Sequence, residues 1–138
     1  AALHIASDDI DESPFSINLN GVGTVIPEIS VEQPAGTDIA NGGVRAFPST
    51  KVGTTNDLVF TIKNSGTGDL VLSGTPKVML NGANANEFSV TAQPVSPVAA
   101  LTGSTTFTVR FAPSSAGMKT AALHIANDDR LHAGRLII

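Results

Sequence analysis

Ala1-Ala2-Leu3-His4-Ile5-Ala6 returns letter for letter, 120 residues on, as Ala121-Ala122-Leu123-His124-Ile125-Ala126. Each copy runs into an acidic step, Ser7-Asp8-Asp9 in the first and Asn127-Asp128-Asp129 in the second, so nine consecutive positions differ by one Ser/Asn change. Chance does not readily place such a match in a chain of 138 residues. Self-similarity at one fixed offset marks a tandem array of like structural units. We therefore expect the end of one unit followed by most of the next.

The material for a core is limited but sufficient. An apolar content of 41% in 138 residues supplies one core and not two. With six Phe and neither Trp nor Tyr, that core must be built from Phe, Leu, Ile and Val, while 13 Gly and 8 Pro imply many turns. Eight Lys+Arg against 12 Asp+Glu give a net charge of −4 without a basic cluster, which argues against nucleic acid and anionic lipid as partners. No apolar run approaches the length of a membrane span and no basic-then-apolar leader is present, so membrane insertion is not expected. The absence of cysteine rules out disulfides and thiolate metal sites.

Apolar residues recur with period 2. Across residues 57–64, Leu58, Phe60 and Ile62 share one face while Val59, Thr61 and Lys63 share the other, the pattern of a half-buried strand. Ser65-Gly66-Thr67-Gly68-Asp69 then turns the chain. Residues 105–111 repeat the alternation with Phe107, Val109 and Phe111 inward, and Ala112-Pro113 stops it, because proline cannot donate to a ladder. Weaker strands are expected over 28–33, with Ile29 and Val31 inward, and over 70–73, 77–80 and 87–91. The repeated strand spans 118–126, with Ala121, Leu123 and Ile125 on one parity. The irregular stretch 34–55 should hold at most a short edge strand. No window sustains a helical period. About seven to eight short strands separated by Gly, Pro and Asn turns predict an all-β fold, an antiparallel β-sandwich. Its core should include Leu58, Phe60, Ile62, Leu70, Leu72, Phe88, Phe107, Val109, Phe111, Leu123 and Ile125.

In order along the chain, Pro27-Glu28-Ile29-Ser30-Val31, Val52-Gly53-Thr54-Thr55, Ile62-Lys63-Asn64-Ser65-Gly66, Phe107-Thr108-Val109-Arg110-Phe111-Ala112-Pro113 and Ala122-Leu123-His124-Ile125-Ala126-Asn127-Asp128-Asp129 resemble a known family. They look like the immunoglobulin-like repeats of bacterial choice-of-anchor D surface proteins, which are similar to ASH/HYDIN-type domains and, more distantly, to the major sperm protein fold. The resemblance covers about 100 residues and rests on motif order and spacing. It implies a Greek-key immunoglobulin-like sandwich over residues 25–129, with residues 1–24 as the last strands of a preceding repeat and Phe15 to Gly23 as that repeat's final strand and exit. It also implies a noncatalytic structural or adhesive repeat of a large surface or secreted protein, located outside the cell, with neighbouring repeats as its partners. Residues 130–138 depart from the pattern. At the 120-residue offset Phe15 meets Arg135, Ile17 meets Ile137 and Asn18 meets Ile138, which breaks the inward parity. We expect a divergent tail there, not a final strand, and take it as non-native sequence in preference to a terminal repeat.

Two clusters could carry chemistry. His124, Asp128, Asp129 and His132 have imidazole and carboxylate groups acceptable to zinc. Against that, His124 lies between inward Leu123 and Ile125 and should face outward, and His4 with Asp8-Asp9 repeats the pattern without a second histidine. Asp8, Asp9, Asp11 and Glu12 could supply oxygen ligands to calcium, although the spacing is not that of an EF-hand and no pivot glycine is present. Solvated turn carboxylates are the simpler reading of both, so no cofactor is expected. No G-x-S-x-G elbow accompanies the serines, and Gly21-Val22-Gly23 and Gly66-Thr67-Gly68 are too short for phosphate loops.

Two functional readings follow: a noncatalytic spacer or adhesion module, and a small metal-dependent hydrolase using His124, Asp128 and His132. Stoichiometric zinc, with activity lost on His124→Ala, separates them. We further expect homo-oligomers by strand exchange, since an open sandwich edge invites pairing and residues 1–23 carry a spare hairpin; the competing expectation is that residues 134–138, with apolar Leu136, Ile137 and Ile138, fill the edge and leave that hairpin loose.

Overall fold

The computed structural model describes residues 1–130 and the backbone of residues 135–137. The strands, in chain order, are β1 (Ala2–Ile5), β2 (Phe15–Asn18), β3 (Ile29–Glu32), β4 (Asn56–Asn64), β5 (Val78–Asn81), β6 (Phe88–Ala92), β7 (Gly103–Phe111), β8 (Ala122–Ile125) and β9 (Arg135–Ile137), with one 3-10 turn at Ala85–Glu87. All described pairings are antiparallel. Strands β3-β4-β7-β6 form one sheet and β5-β8-β9 a second, while β1 and β2 pair with each other as a separate hairpin. The fold is all-β, as the period-2 alternation predicts. Among the described residues no helix is long and apolar enough to cross a membrane.

The central ladder joins the two nine-residue strands, β4 and β7, from Asn56↔Phe111 to Asn64↔Gly103. Their inward parities coincide. Phe60 stands opposite Phe107 with stacked rings whose centroids are 5.0 Å apart, and Leu58 stands opposite Val109. Directly opposed residues share a face, so each such pair adds its apolar surface to the same side of the sheet. In the second sheet Val78 faces Ile125 and Leu80 faces Leu123. Phe60, Ile62, Phe107 and Val109 from one sheet and Val78, Leu123 and Ile125 from the other form a single buried cluster. The two sheets therefore close as a β-sandwich over one core.

All eleven expected core residues belong to this core; Leu58 and Phe111 are partly buried at its margin. Val78 and Val98 join them from short segments that carry little alternation. Phe47, from the irregular stretch 34–55, packs against Phe88 and Phe111 at centroid distances of 5.6 and 5.7 Å.

Two expectations are corrected. Residues 70–73 form isolated bridges, Leu70↔Val98 and Leu72↔Asn127, and not a strand. The backbone there crosses between partners: Val71 donates to the Asp128 carboxylate, Leu72 to the Ser96 hydroxyl and Ser73 to the Ala126 carbonyl, so no single neighbour provides a ladder. The tail, expected from the broken parity to lack a final strand, supplies β9, which takes the edge as the competing expectation has it and pairs with β8 through Ala122↔Ile137, Leu123↔Leu136 and His124↔Arg135. In the first copy the corresponding pair is Leu3↔Ile17. The second copy is thus shifted by one residue from the 120-residue offset, and a one-residue slip exchanges the faces of a strand. A comparison at fixed offset scores this tail as broken, whereas the slipped register sets Leu136 opposite Leu123.

Candidate functional site

The acidic step after the repeated strand is a structural joint in the second copy. Asp129 is only 1% exposed, and its Oδ2 accepts a 3.0 Å hydrogen bond from the Ile29 N–H at the start of β3. Its own N–H donates to Asn127 Oδ1 at 3.0 Å, and Asn127 Nδ2 donates to the Ile125 carbonyl at 3.0 Å. This local turn ends β8 and aims the carboxylate across the sandwich. Asp128 works on the other side: its Oδ1 accepts from the Val71 N–H at 2.8 Å and its N–H donates to the Val71 carbonyl at 3.2 Å. Consecutive carboxylates thus tie β8 to two distant segments, one in each direction.

His124 is half-buried on the outward face of β8, and its Nε2 lies 3.1 Å from Asn81 Oδ1 on the neighbouring β5. His132 lies outside the described residues. Among the described residues no three of His, Cys, Asp or Glu gather as a metal site would require. In the first copy Asp8, Asp9, Asp11 and Glu12 are all exposed, and Asp9 Oδ1 accepts a long 3.5 Å contact from the Asp11 N–H. The loop is closed instead by Ser13, whose hydroxyl donates to the Ser7 carbonyl at 2.8 Å. His4 Nδ1 lies 2.9 Å from Ser16 Oγ across the hairpin. The same Asp-Asp step is therefore a hydrogen-bonded joint in one place, with Asp129 buried and Asp128 at the surface, and a solvated loop in the other. What differs is the presence of partners such as Val71 and Ile29.

Buried polar groups that sequence reasoning passed over hold the sandwich ends together. Asn64, 1% exposed, accepts at Oδ1 from the Glu28 N–H at 3.1 Å and the Gly66 N–H at 3.0 Å. Its Nδ2 faces the carbonyls of Gly68, Val98 and Ala99 at 2.8, 3.0 and 3.2 Å. A signal existed: Asn64 continues the inward parity of Phe60 and Ile62. At the adjacent Gly66, any side chain would collide with the backbone of Ile26, Pro27 and Glu28.

Glu87 is likewise buried, accepting from the Ser114 hydroxyl at 2.7 Å and the Ser114 N–H at 2.5 Å, with Lys119 Nζ 3.9 Å away. The Ser114 hydroxyl, then its N–H, hold the Glu87 carboxyl below the ordinary carboxylate range against the opposing effect of burial, with Lys119 assisting. Glu32, bonded to Lys63 and to the Gly36 N–H, and Asp57, which accepts from Arg110 Nε and Nη2 at 2.8 Å each, are held low in the same way. A folded-state pKa below the unfolded value stabilises the fold above the unfolded pKa, and that contribution is lost as pH falls through the folded pKa. Stability should therefore decline below about pH 4, near the unfolded carboxylate values. Glu87→Gln should be less stable at neutral pH and lose part of that decline, as denaturation at a series of pH values will register. An unchanged pH profile would remove Glu87 from this role.

In comparisons with known proteins, no family model, no curated protein and no solved structure matches the chain.

Proposed function

We propose that the chain is a noncatalytic, immunoglobulin-like structural repeat from a tandem array in a large bacterial surface or secreted protein, where it spaces or presents its neighbours. The observation that carries this reading is the double life of one strand. Leu123 and Ile125 in β8 are 0% and 6% exposed, whereas the same residues in β1, Leu3 and Ile5, are 47% and 49% exposed. An apolar face preserved letter for letter and left uncovered makes physical sense as part of a second sandwich of the same kind. The strand order supports the immunoglobulin-like reading. In chain order, β3 to β9 distribute four and three, first-second-fifth-fourth and third-sixth-seventh, as in constant-type immunoglobulin sandwiches. Asp128 and Asp129, which follow His124 in the chain, serve backbone joints, which supports a structural role for them.

The test rebuilds one complete repeat. A chain in which residues 25–129 precede residues 10–138 joins Asp129 to Ile10 at equivalent positions of the array and gives the first unit residues 15–19 as its last strand. With both chains dilute, amide exchange at residues 15–19 should be slower in the longer chain than in the present one by about a hundredfold or more, since a ladder within a closed sandwich opens only with it. Equal exchange in the two chains would overturn the array reading.

A further inference from the structure

The β1–β2 hairpin shows how a particular partner strand sits on the sequence Ala-Ala-Leu-His-Ile. Leu3 pairs with Ile17, His4 with Ser16 and Ile5 with Phe15, and Ala1 and Leu19 exchange backbone hydrogen bonds of 3.2 and 2.9 Å. Because Ala121 to Ile125 is the same sequence, every one of these pairs can be transferred to β8. We propose that β2 of a second copy of this chain pairs with β8 in that register, taking the edge that β9 now holds, with Leu19 opposite Ala121, Ile17 opposite Leu123 and Phe15 opposite Ile125. The proposal rests on the duplicated strand and not on the spacer reading.

Moving β2 from β1 to β8 conserves the identity of every pair that β2 makes but breaks the three pairs of β8 with β9, so pairing as such favours the hairpin and burial must outweigh that loss. Burial decides. Beside β1, Phe15, Ile17 and Leu19 are 50%, 40% and 55% exposed, whereas β8 carries its inward residues against the opposite sheet. Transfer removes three large apolar side chains from water, the dominant driving force for association. The resident β9 holds the edge with three pairs, fewer than the four pairs and the Ala1–Leu19 exchange that β2 brings to it.

The donor is a second copy because the chain's own β2 would have to return along the whole sandwich to the start of β3. In the transferred register Leu19 lies at the Ala121 end of β8, while β3 begins at the other end, where the Asp129 carboxylate holds the Ile29 N–H. Between those ends lie the four residues of β8, about 13 Å at strand rise, and the Asn127 turn, so a return within one chain runs the length of the sandwich. Ile26 is anchored by Thr67 and Gly68, and the seven steps from Leu19 to Ile26 reach at most about 25 Å fully extended. Reciprocal exchange between two chains needs no such stretch and closes as a two-fold dimer.

A chain without cysteine makes the test direct. Counting from the hydrogen-bonded Ala1↔Leu19 pair, His4↔Ser16 is a non-hydrogen-bonded pair, where Cα atoms stand about 4.5 Å apart, within disulfide range. On oxidation at about 100 μM, where exchange of this kind is populated, Ser16→Cys/His124→Cys should convert most chains to a covalent dimer whose bond maps between residues 16 and 124. His4→Cys/Ser16→Cys, oxidised at high dilution, should close within one molecule, which verifies the hairpin pairing of the single chain. Adding Phe15→Asp to the first variant should cut the dimer by at least about tenfold, because a carboxylate then enters the core. A 16–124 bond within one chain, bonds only between like positions, or thiols that stay reduced would each overturn the proposal.

Discussion

Phe60→Ala should cost about 3–5 kcal/mol of unfolding free energy, measured by denaturant titration, because it deletes a fully buried ring from the centre of the sandwich and leaves a cavity. Phe60 and Phe107 face each other across the longest ladder with nearly parallel rings, so each is the main neighbour that the other loses. The double variant Phe60→Ala/Phe107→Ala should therefore cost less than the sum of the singles, with a coupling of about 0.5–3 kcal/mol. Val59→Ala, one residue away on the outward face and 53% exposed, should stay within about 0.5 kcal/mol of the parent. A loss below about 1 kcal/mol for Phe60→Ala would mean that the two sheets do not close over this pair.

Asn64→Ala should be nearly as damaging, at about 3–5 kcal/mol, although it removes only a small polar side chain. The amide serves two N–H donors and three carbonyls at the end of the sandwich. Leaving buried partners unsatisfied costs about 1–3 kcal/mol each before relaxation or water entry recovers part of it. Asn64→Asp sharpens the test. It keeps the acceptor for Glu28 and Gly66 but turns a carboxylate oxygen towards the carbonyls of Gly68, Val98 and Ala99. Ionisation is then disfavoured in the folded state, so the folded pKa of this carboxyl rises above its unfolded value, and the penalty should grow as pH rises through the unfolded pKa. Its stability relative to the parent should thus improve on acidification, opposite in sign to the contribution of Glu87. If Asn64→Asp matched the parent at neutral pH, the amide nitrogen would not be holding those carbonyls.

Much of the fold was legible because the strands of a sandwich with one wet face advertise themselves by alternation. Leu58, Phe60 and Ile62 predicted β4, and Phe107, Val109 and Phe111 predicted β7, because the side-chain period of a strand is two whatever its neighbours are. Residues 70–73 misled for the converse reason. Their apolar alternation is real, and Leu70 and Leu72 are buried, but a ladder needs a continuous partner and this segment bonds in turn to Val98, Ser96, Asp128 and Ala126. Phe47 carried no signal, since a single aromatic in an irregular stretch has no period to read.

The candidate site divides along the same line. Outward parity placed His124 on the far side of β8 from the core, whereas its contact with Asn81 on β5 is one that no local pattern announces. The Asp-Asp step is the sharper case. The sequence by itself determined that the chain holds two copies of one strand and turn, and that the strand has an apolar face. Which copy is buried, which carboxylates become joints, and in which register the last strand lands were decided only by the tertiary structure. Identical residues take their energies from what lies across from them: Asp129 has the Ile29 N–H one hundred residues away, Leu123 has Leu80 and the opposite sheet, Leu3 has only Ile17 of its hairpin, and Asp9 is exposed.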